Sequence, residues 1–233
     1  MEGGSYFVAD VHLGIRDSGE NKREEEFCKF LDSLPESAES LYLLGDIFDF
    51  WVDYKSVVPR GFTRVFGRLA LLVERGCKVY FLKGNHDFWV TDYFERELGI
   101  EIIDEPFIIK EISGRKVGIG HGDVLGCTDF KARLIFSLFR NRFLITLLKA
   151  LPSSWVFGFA TWWSSRSRKR HQDYTFDVED SDIMRFAEKM GKEQGIDEFV
   201  FGHFHRESHS TLQCGASLHI LGDWSDGPSY LNL

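Results

Sequence analysis

No Cys-x-x-Cys pair occurs in this chain. Its four cysteines, Cys28, Cys77, Cys127 and Cys214, are scattered, which argues against a disulfide framework or a structural zinc knuckle and predicts free thiols in a reducing compartment. Proline is scarce, with 5 in 233 residues, and neither an internal repeat nor a low-complexity linker is present. With a hydrophobic fraction of 43%, that composition excludes a disordered chain and leaves one large α/β domain, or one domain carrying an insertion. Positive charge is in deficit: 28 Lys and Arg against 36 Asp and Glu give a net charge of -8, so general nucleic-acid binding is not expected. The first apolar run, Tyr6–Ala9, already ends in Asp10, so no secretory signal is expected and the cytoplasm is the default compartment.

Aromatic residues, by contrast, are abundant. The 22 Phe and 6 Trp exceed what an ordinary soluble core demands. Short apolar runs at Ser5–Ala9, Leu41–Leu44 and Lys78–Leu82 read as buried strands, and the helical spacings at Lys22–Leu34 and Phe62–Arg75 lie between them. Strand, helix, strand, helix, strand predicts a right-handed, mostly parallel sheet. From Ile100 the texture changes to short strands at Ile102–Ile103, Phe107–Ile112 and Lys116–Ile119, with Ser113-Gly114-Arg115 as a hairpin turn. A helix is expected over Asp180–Met190, ending before Gly191, then a strand at Glu198–Phe201. The segments His209–Gln213, Leu218–Leu221 and Tyr230–Leu233 read as antiparallel strands.

Five of these apolar runs end in polar motifs: Asp10/His12, Asp46/Asp49, Asn85/His86/Asp87, His121/Asp123 and His203/His205. Ligands gather at the C-terminal ends of strands in open α/β sheets. Residues i and i+2 of an extended segment share a face, so Asp10 and His12 are expected to aim at one point while Val11 packs behind. Mixed oxygen and imidazole donors without sulfur suit Mn²⁺, Fe or Zn²⁺ better than Ca²⁺. So many ligand groups are too many for one ion but right for two sharing a carboxylate. Ions paired roughly 3.5–4 Å apart are a recurrent device for displacement at phosphorus.

Asp-x-His, Gly-Asp-x-x-Asp, Gly-Asn-His-Asp, His-Gly-Asp and Gly-His-x-His, in this order from Asp10 to His205, resemble the calcineurin-like metallophosphoesterase family. The resemblance implies a four-layer α-β-β-α sandwich, one domain over residues 1–233 with a helical cap inserted at about 127–172. It implies that Asp10, His12 and His205 hold one metal, that Asn85, His121 and His203 hold the second, and that Asp46 bridges them. His86 would face the leaving group or a phosphoryl oxygen, oriented by Asp87, with Asp49 and Asp123 behind the ligands. The runs Gly45–Trp51, His121–Leu125, Gly202–Arg206 and Leu221–Trp224 are most similar to UDP-2,3-diacylglucosamine hydrolases. Those enzymes cleave the pyrophosphate of a nucleotide-sugar lipid in lipid A synthesis. One branch has an arginine where this chain has His86.

The segment Phe130–Gln172 contains no Asp or Glu but nine basic residues. The apolar residues from Leu134 to Leu148 suggest one helix, and Trp155–Trp163 after Pro152 a second. Basic charge with Trp and Phe is the composition of an element that meets an anionic lipid or the inner-leaflet membrane surface. Phe143–Trp163 is long enough to span a bilayer, but Lys149, Pro152 and two serines interrupt it. A helical pair buried against the domain, or a dimer interface, is the competing reading. Arg166, Ser167, Arg168 and Lys169 are candidates for contact with the diphosphate or glucosamine. Against the lipid hydrolase stand two alternatives: a phosphodiesterase or nucleotide pyrophosphatase with a soluble substrate, and a non-catalytic membrane-associated binding protein.

Overall fold

Two five-stranded sheets carry the molecule in a computed structural model that describes residues 3–15, 22–54, 57–126, 141–159 and 181–233. In the first sheet β1 (Ser5–Val8), β2 (Ser40–Leu43), β3 (Lys78–Leu82) and β4 (Glu101–Ile103) pair in parallel, and β10 (Tyr230–Asn232) closes the outer side of β1 antiparallel. The connections carry α1 (Lys22–Ser33), α2 (Thr63–Glu74) and the short α3 (Tyr93–Leu98), as parallel pairing requires a crossover. The sequence reading missed α3. Its six residues are too few to show a period, and only Gly99, left-handed at its C-terminal end, marks it.

Strands buried on both faces sort their side chains by parity. Tyr6, Val8, Leu41, Leu43, Val79 and Phe81 face the helices, where they join Phe27, Leu69 and Phe94. Their neighbours Phe7, Tyr42, Leu44, Tyr80 and Leu82 face the second sheet and meet Val117, Ile119 and Val200. Rings of Phe7, Tyr42 and Tyr80 stack along that seam at 4.9 and 4.7 Å.

The second sheet has the order β5 (Phe107–Ile112), β6 (Arg115–Gly120), β7 (Glu198–Phe201), β9 (Ser217–Ile220), β8 (Ser208–Thr211). Ser113 and Gly114, at φ 50° and 75°, make the tight β5–β6 turn. Strands β8 and β9 pair antiparallel as expected, but β9 runs parallel to β7. That placement sets Leu218 beside Phe199 and Ile220 beside Phe201, in a core covered by the helix Asp182–Gln194. This helix does not stop before Gly191 as expected. It runs on to Gly195, and a Cβ at Gly191 would stand 2.6 Å from Cys214 Sγ. Glycine there admits the β8–β9 hairpin; it does not end the helix.

Of the expected insertion, the described part is α4 (Arg142–Ala150) and a helical run at residues 153–159. Helix α4 begins at Arg142. Asn141 is extended, and its side chain accepts from the backbone N–H of Phe143 and Leu144, an N-terminal cap. The rest of the insertion, with Arg166, Ser167, Arg168 and Lys169, lies outside the described residues. The architecture is an α/β fold of two packed sheets flanked by helices.

Candidate metal centre

Seven non-glycine residues among those described have positive φ, and five of them are Asp10, His12, Asp46, His203 and His205. Left-handed backbone is sparsely populated by L-residues and costs about 1–3 kcal/mol per position. It persists only where the surroundings over-determine it. Here β1, β2 and β7 each end two or three residues before such a turn. Asp10 and His12 therefore reach a common point through two left-handed residues, not along the extended segment expected from sequence. Val11 packs behind them with no exposure, as expected.

The loops are laced together by backbone hydrogen bonds. Asp10 N–H donates to Gly45 O, His12 N–H to Asp46 O and Gly202 N–H to His121 O. The side chains then converge. Asp10, His12, Asp46 and His205 each offer an atom within 4.8 Å of one another, as do Asp46, His121 and His203. Asp46 belongs to both groups: its Oδ2 lies 3.9 Å from His12 Nε2 and 3.5 Å from His121 Nε2. Asn85 Oδ1 adds an oxygen 3.3 Å from His121 Nε2. A third group joins His12, Asp49 and His86.

The ligand rings are aimed by hydrogen bonds on their far sides. His121 Nδ1–H donates to Leu44 O at 2.8 Å, which leaves Nε2 for the centre; His86 Nδ1–H donates to Asp49 O at 2.9 Å. This is how metal-binding imidazoles are fixed in orientation. Asp10 uses Oδ2 to accept from His203 N–H at 2.7 Å. Its Oδ1 is buried with no hydrogen-bond partner, 3.5 Å from His205 Nε2. A fully buried orphan carboxylate oxygen beside imidazole nitrogens is what a cation satisfies.

Charge points the same way. Burial disfavours the protonated His121 ring, yet Asp46, Asp10 and Asp123 outweigh it and push it up to about 10. Burial raises Asp10 well above the usual carboxylate range, against the pull of His121. Asp46 is held well below that range because His121 and His86 overcome its burial. Burial holds His12 well below the ordinary imidazole value. The carboxylates thus draw a proton onto His121, and the residues present fit two divalent ions sharing Asp46.

Asp87 does a different job from the one expected. Its carboxylate does not orient the His86 ring. It accepts backbone N–H bonds from Gly84 at 2.8 Å, Ile47 at 2.8 Å, Asp46 at 3.2 Å and Phe48 at 3.4 Å. Burial and the Asp46 charge push it up to about 6, against the bonds from Gly84 and Phe48. It pins the Asp46 loop to the Asn85 loop, while Asp49 O holds the His86 ring. Asp46 Oδ1 accepts from His86 N–H at 2.8 Å, which closes the same junction. Sequence reading also missed Asp53, a buried carboxylate that accepts from Trp51 Nε1 and from the backbone N–H groups of Thr91, Asp92 and Tyr93. Its only signal was a charged residue directly after the apolar Phe50-Trp51-Val52.

A family model described as calcineurin-like phosphoesterase matches residues 6–207. The chain is similar to a UDP-2,3-diacylglucosamine hydrolase of Porphyromonas gingivalis, 33% identical over 97% of this chain and 92% of that protein. Proteins of the same name resemble it in Nitrosococcus oceani, at 32% identity over 98% of this chain and 90% of theirs, and in Neisseria meningitidis serogroup B, at 31% over 94% and 89%.

Proposed function

The chain belongs to the calcineurin-like phosphoesterase family, and we propose that it hydrolyses the pyrophosphate of UDP-2,3-diacylglucosamine to UMP and 2,3-diacylglucosamine 1-phosphate, a step of lipid A synthesis. The observation that carries this reading is the set of five left-handed residues, Asp10, His12, Asp46, His203 and His205, whose side chains enter two adjoining ligand groups that share Asp46. Similarity to the hydrolases along nearly the whole chain supplies the substrate.

Water adds across the P–O–P bridge, with attack at the α-phosphorus and departure of the lipid phosphate. When bound, two divalent ions, Mn²⁺ by preference and Fe or Zn²⁺ otherwise, supply hydroxide at neutral pH and offset charge on the phosphoryl oxygens. Asp10, His12 and His205 would hold one, Asn85, His121 and His203 the other, and Asp46 would serve both. His86, ring fixed through Nδ1 by Asp49 O, turns Nε2 to a phosphoryl oxygen or the leaving group, and Asn85 shares that contact. Arg166, Ser167, Arg168 and Lys169 meet the diphosphate or the glucosamine, and the insertion at about 127–172 forms a cap over the site.

The substrate is amphiphilic, and no helix among the described residues is long and apolar enough to cross a membrane. Contact with the cytoplasmic face of the inner membrane through the insertion reconciles the two. Incubation of purified protein with UDP-2,3-diacylglucosamine and Mn²⁺ tests the reaction. UMP and the lipid 1-phosphate should appear by mass, vanish with EDTA and be absent with Asp46→Ala, which should also purify without metal. No turnover of that lipid beside clear hydrolysis of a simple phosphodiester would refute the substrate and leave the phosphoesterase.

A further inference from the structure

Helix α4 is not merely tethered near the metal loops; it is fastened to them at one polar point. Lys149 Nζ donates to Thr91 Oγ1 at 3.0 Å, and Thr91 Oγ1–H donates to Asp53 Oδ2 at 2.8 Å. Each donor and acceptor in the chain is used in its own sense, so an ammonium and a buried carboxylate are joined through one hydroxyl. Asp53 is 5% exposed and already gathers Trp51 Nε1 and three backbone N–H groups at the start of α3. An apolar contact surrounds the polar one. Val52, Trp89 and Val156 are buried together, with Ile145 and Leu148 of α4 against them, and the ring of Phe50 lies 5.2 Å from those of Trp89 and Phe157. Phe50 follows Asp49 directly, and Thr91 comes five residues after His86. The fastening therefore joins the insertion to the two loops that carry Asp49 and His86.

We propose that Asp53, Thr91 and Lys149 form a positioning unit that seats the insertion helix on the catalytic loops and so sets selectivity for a lipid-bearing substrate over a small phosphodiester. The proposal rests on the reading of the chain as a lipid hydrolase. None of the three touches the metal ligands, so their removal acts on where α4 stands and not on the chemistry. A cation that reaches inward from an insertion rich in basic residues is spent on docking; its neighbours are left for phosphate or lipid.

Lys149→Met keeps the alkyl stem and removes the donor, and Thr91→Val removes the hydroxyl at constant shape. Each should raise KM for UDP-2,3-diacylglucosamine about tenfold, the effect of losing one charge-assisted hydrogen bond. Metal content, lipid kcat and hydrolysis of bis(p-nitrophenyl) phosphate should stay at wild-type values, and Lys149→Arg should restore KM. In parallel, amide hydrogen exchange across residues 141–159 should quicken in both variants, with β1, β2 and β3 unchanged. Unchanged exchange would overturn the fastening whatever the substrate is. Faster exchange with an unaltered lipid KM would overturn its role in selectivity. A wild-type protein that ignores the lipid but cleaves the small diester defeats the functional reading instead, and exchange then decides the fastening alone.

Discussion

Asp87 has no solvent contact, and its two oxygens are occupied by four backbone N–H groups from two different loops. A carboxylate is the one side chain of that size that only accepts. Asp87→Asn keeps the shape but turns an amide NH₂ toward donors it cannot satisfy. Bonds to charged groups are worth about 1.5–3 kcal/mol each, and an orphaned buried donor costs a similar amount. The variant should lose about 3 kcal/mol of stability in urea unfolding with chelator present, and should bind metal less tightly because the Asp46 backbone is no longer held. An unfolding midpoint equal to wild type would show that these bonds do not hold the loops. The sequence displayed Asp87 plainly, yet gave its task wrongly. Adjacency to His86 suggested a partner for the ring, whereas a residue in a turn at a strand end has nearer clients in the backbone that turns around it.

Between elements, the closest approach at the centre is that of the Asn85 loop to the Asp46 loop. A Cβ at Gly84 would overlap Asp46 Oδ1 and stand 2.5 Å from Asp46 N. Neither atom can give way, since one belongs to the shared ligand and the other to backbone already bonded to Asp87. Gly84→Ala should therefore displace the bridging carboxylate. Overpacking of this kind costs about 1–3 kcal/mol, and the bound metal measured by elemental analysis should fall together with activity, while circular dichroism stays native. Full metal occupancy in that variant would mean that the loops can part without disturbing Asp46. Elements of this scale were largely legible. Lys78–Leu82, Phe107–Ile112 and Glu198–Phe201 follow from apolar runs bounded by polar motifs, and the structure forms those strands. What the runs could not reveal was contact at a distance. Gly191 reads as a helix stop until Cys214 is seen against it, and the left-handed turns at Asp10 and His12 are set by the Gly45–Asp46 strand end to which both are bonded.

At the scale of the whole molecule, the chain is acidic, and among the described residues five of the ten exposed large apolar side chains lie on the insertion. Phe143, Leu147, Leu151, Trp155 and Phe159 are 71, 51, 49, 70 and 51% exposed. They recur every four residues, the spacing that lines up side chains along one helix face, and they continue across the break at Pro152. The opposite side of the same helices is the side that packs, through Ile145, Leu148 and Val156, on Trp89 and Val52. One face is thus used for docking, and the other offers large side chains to the surroundings. The sequence announced the composition of this segment but not its division into two faces, because aromatic and aliphatic residues fall on both. If the outer ridge rests in a bilayer, each large side chain that leaves water contributes about 1.5–3 kcal/mol. A Phe143→Ser, Trp155→Ser double variant should then bind vesicles of phosphatidylethanolamine and phosphatidylglycerol at least about a hundredfold more weakly in co-sedimentation. Its turnover of a short-chain, water-soluble substrate analogue should match wild type, since the docked face is untouched. If the ridge instead joins two copies of the chain, the double variant will sediment as a smaller species in vesicle-free solution while vesicle binding is unchanged, and membrane contact must then lie elsewhere on the protein.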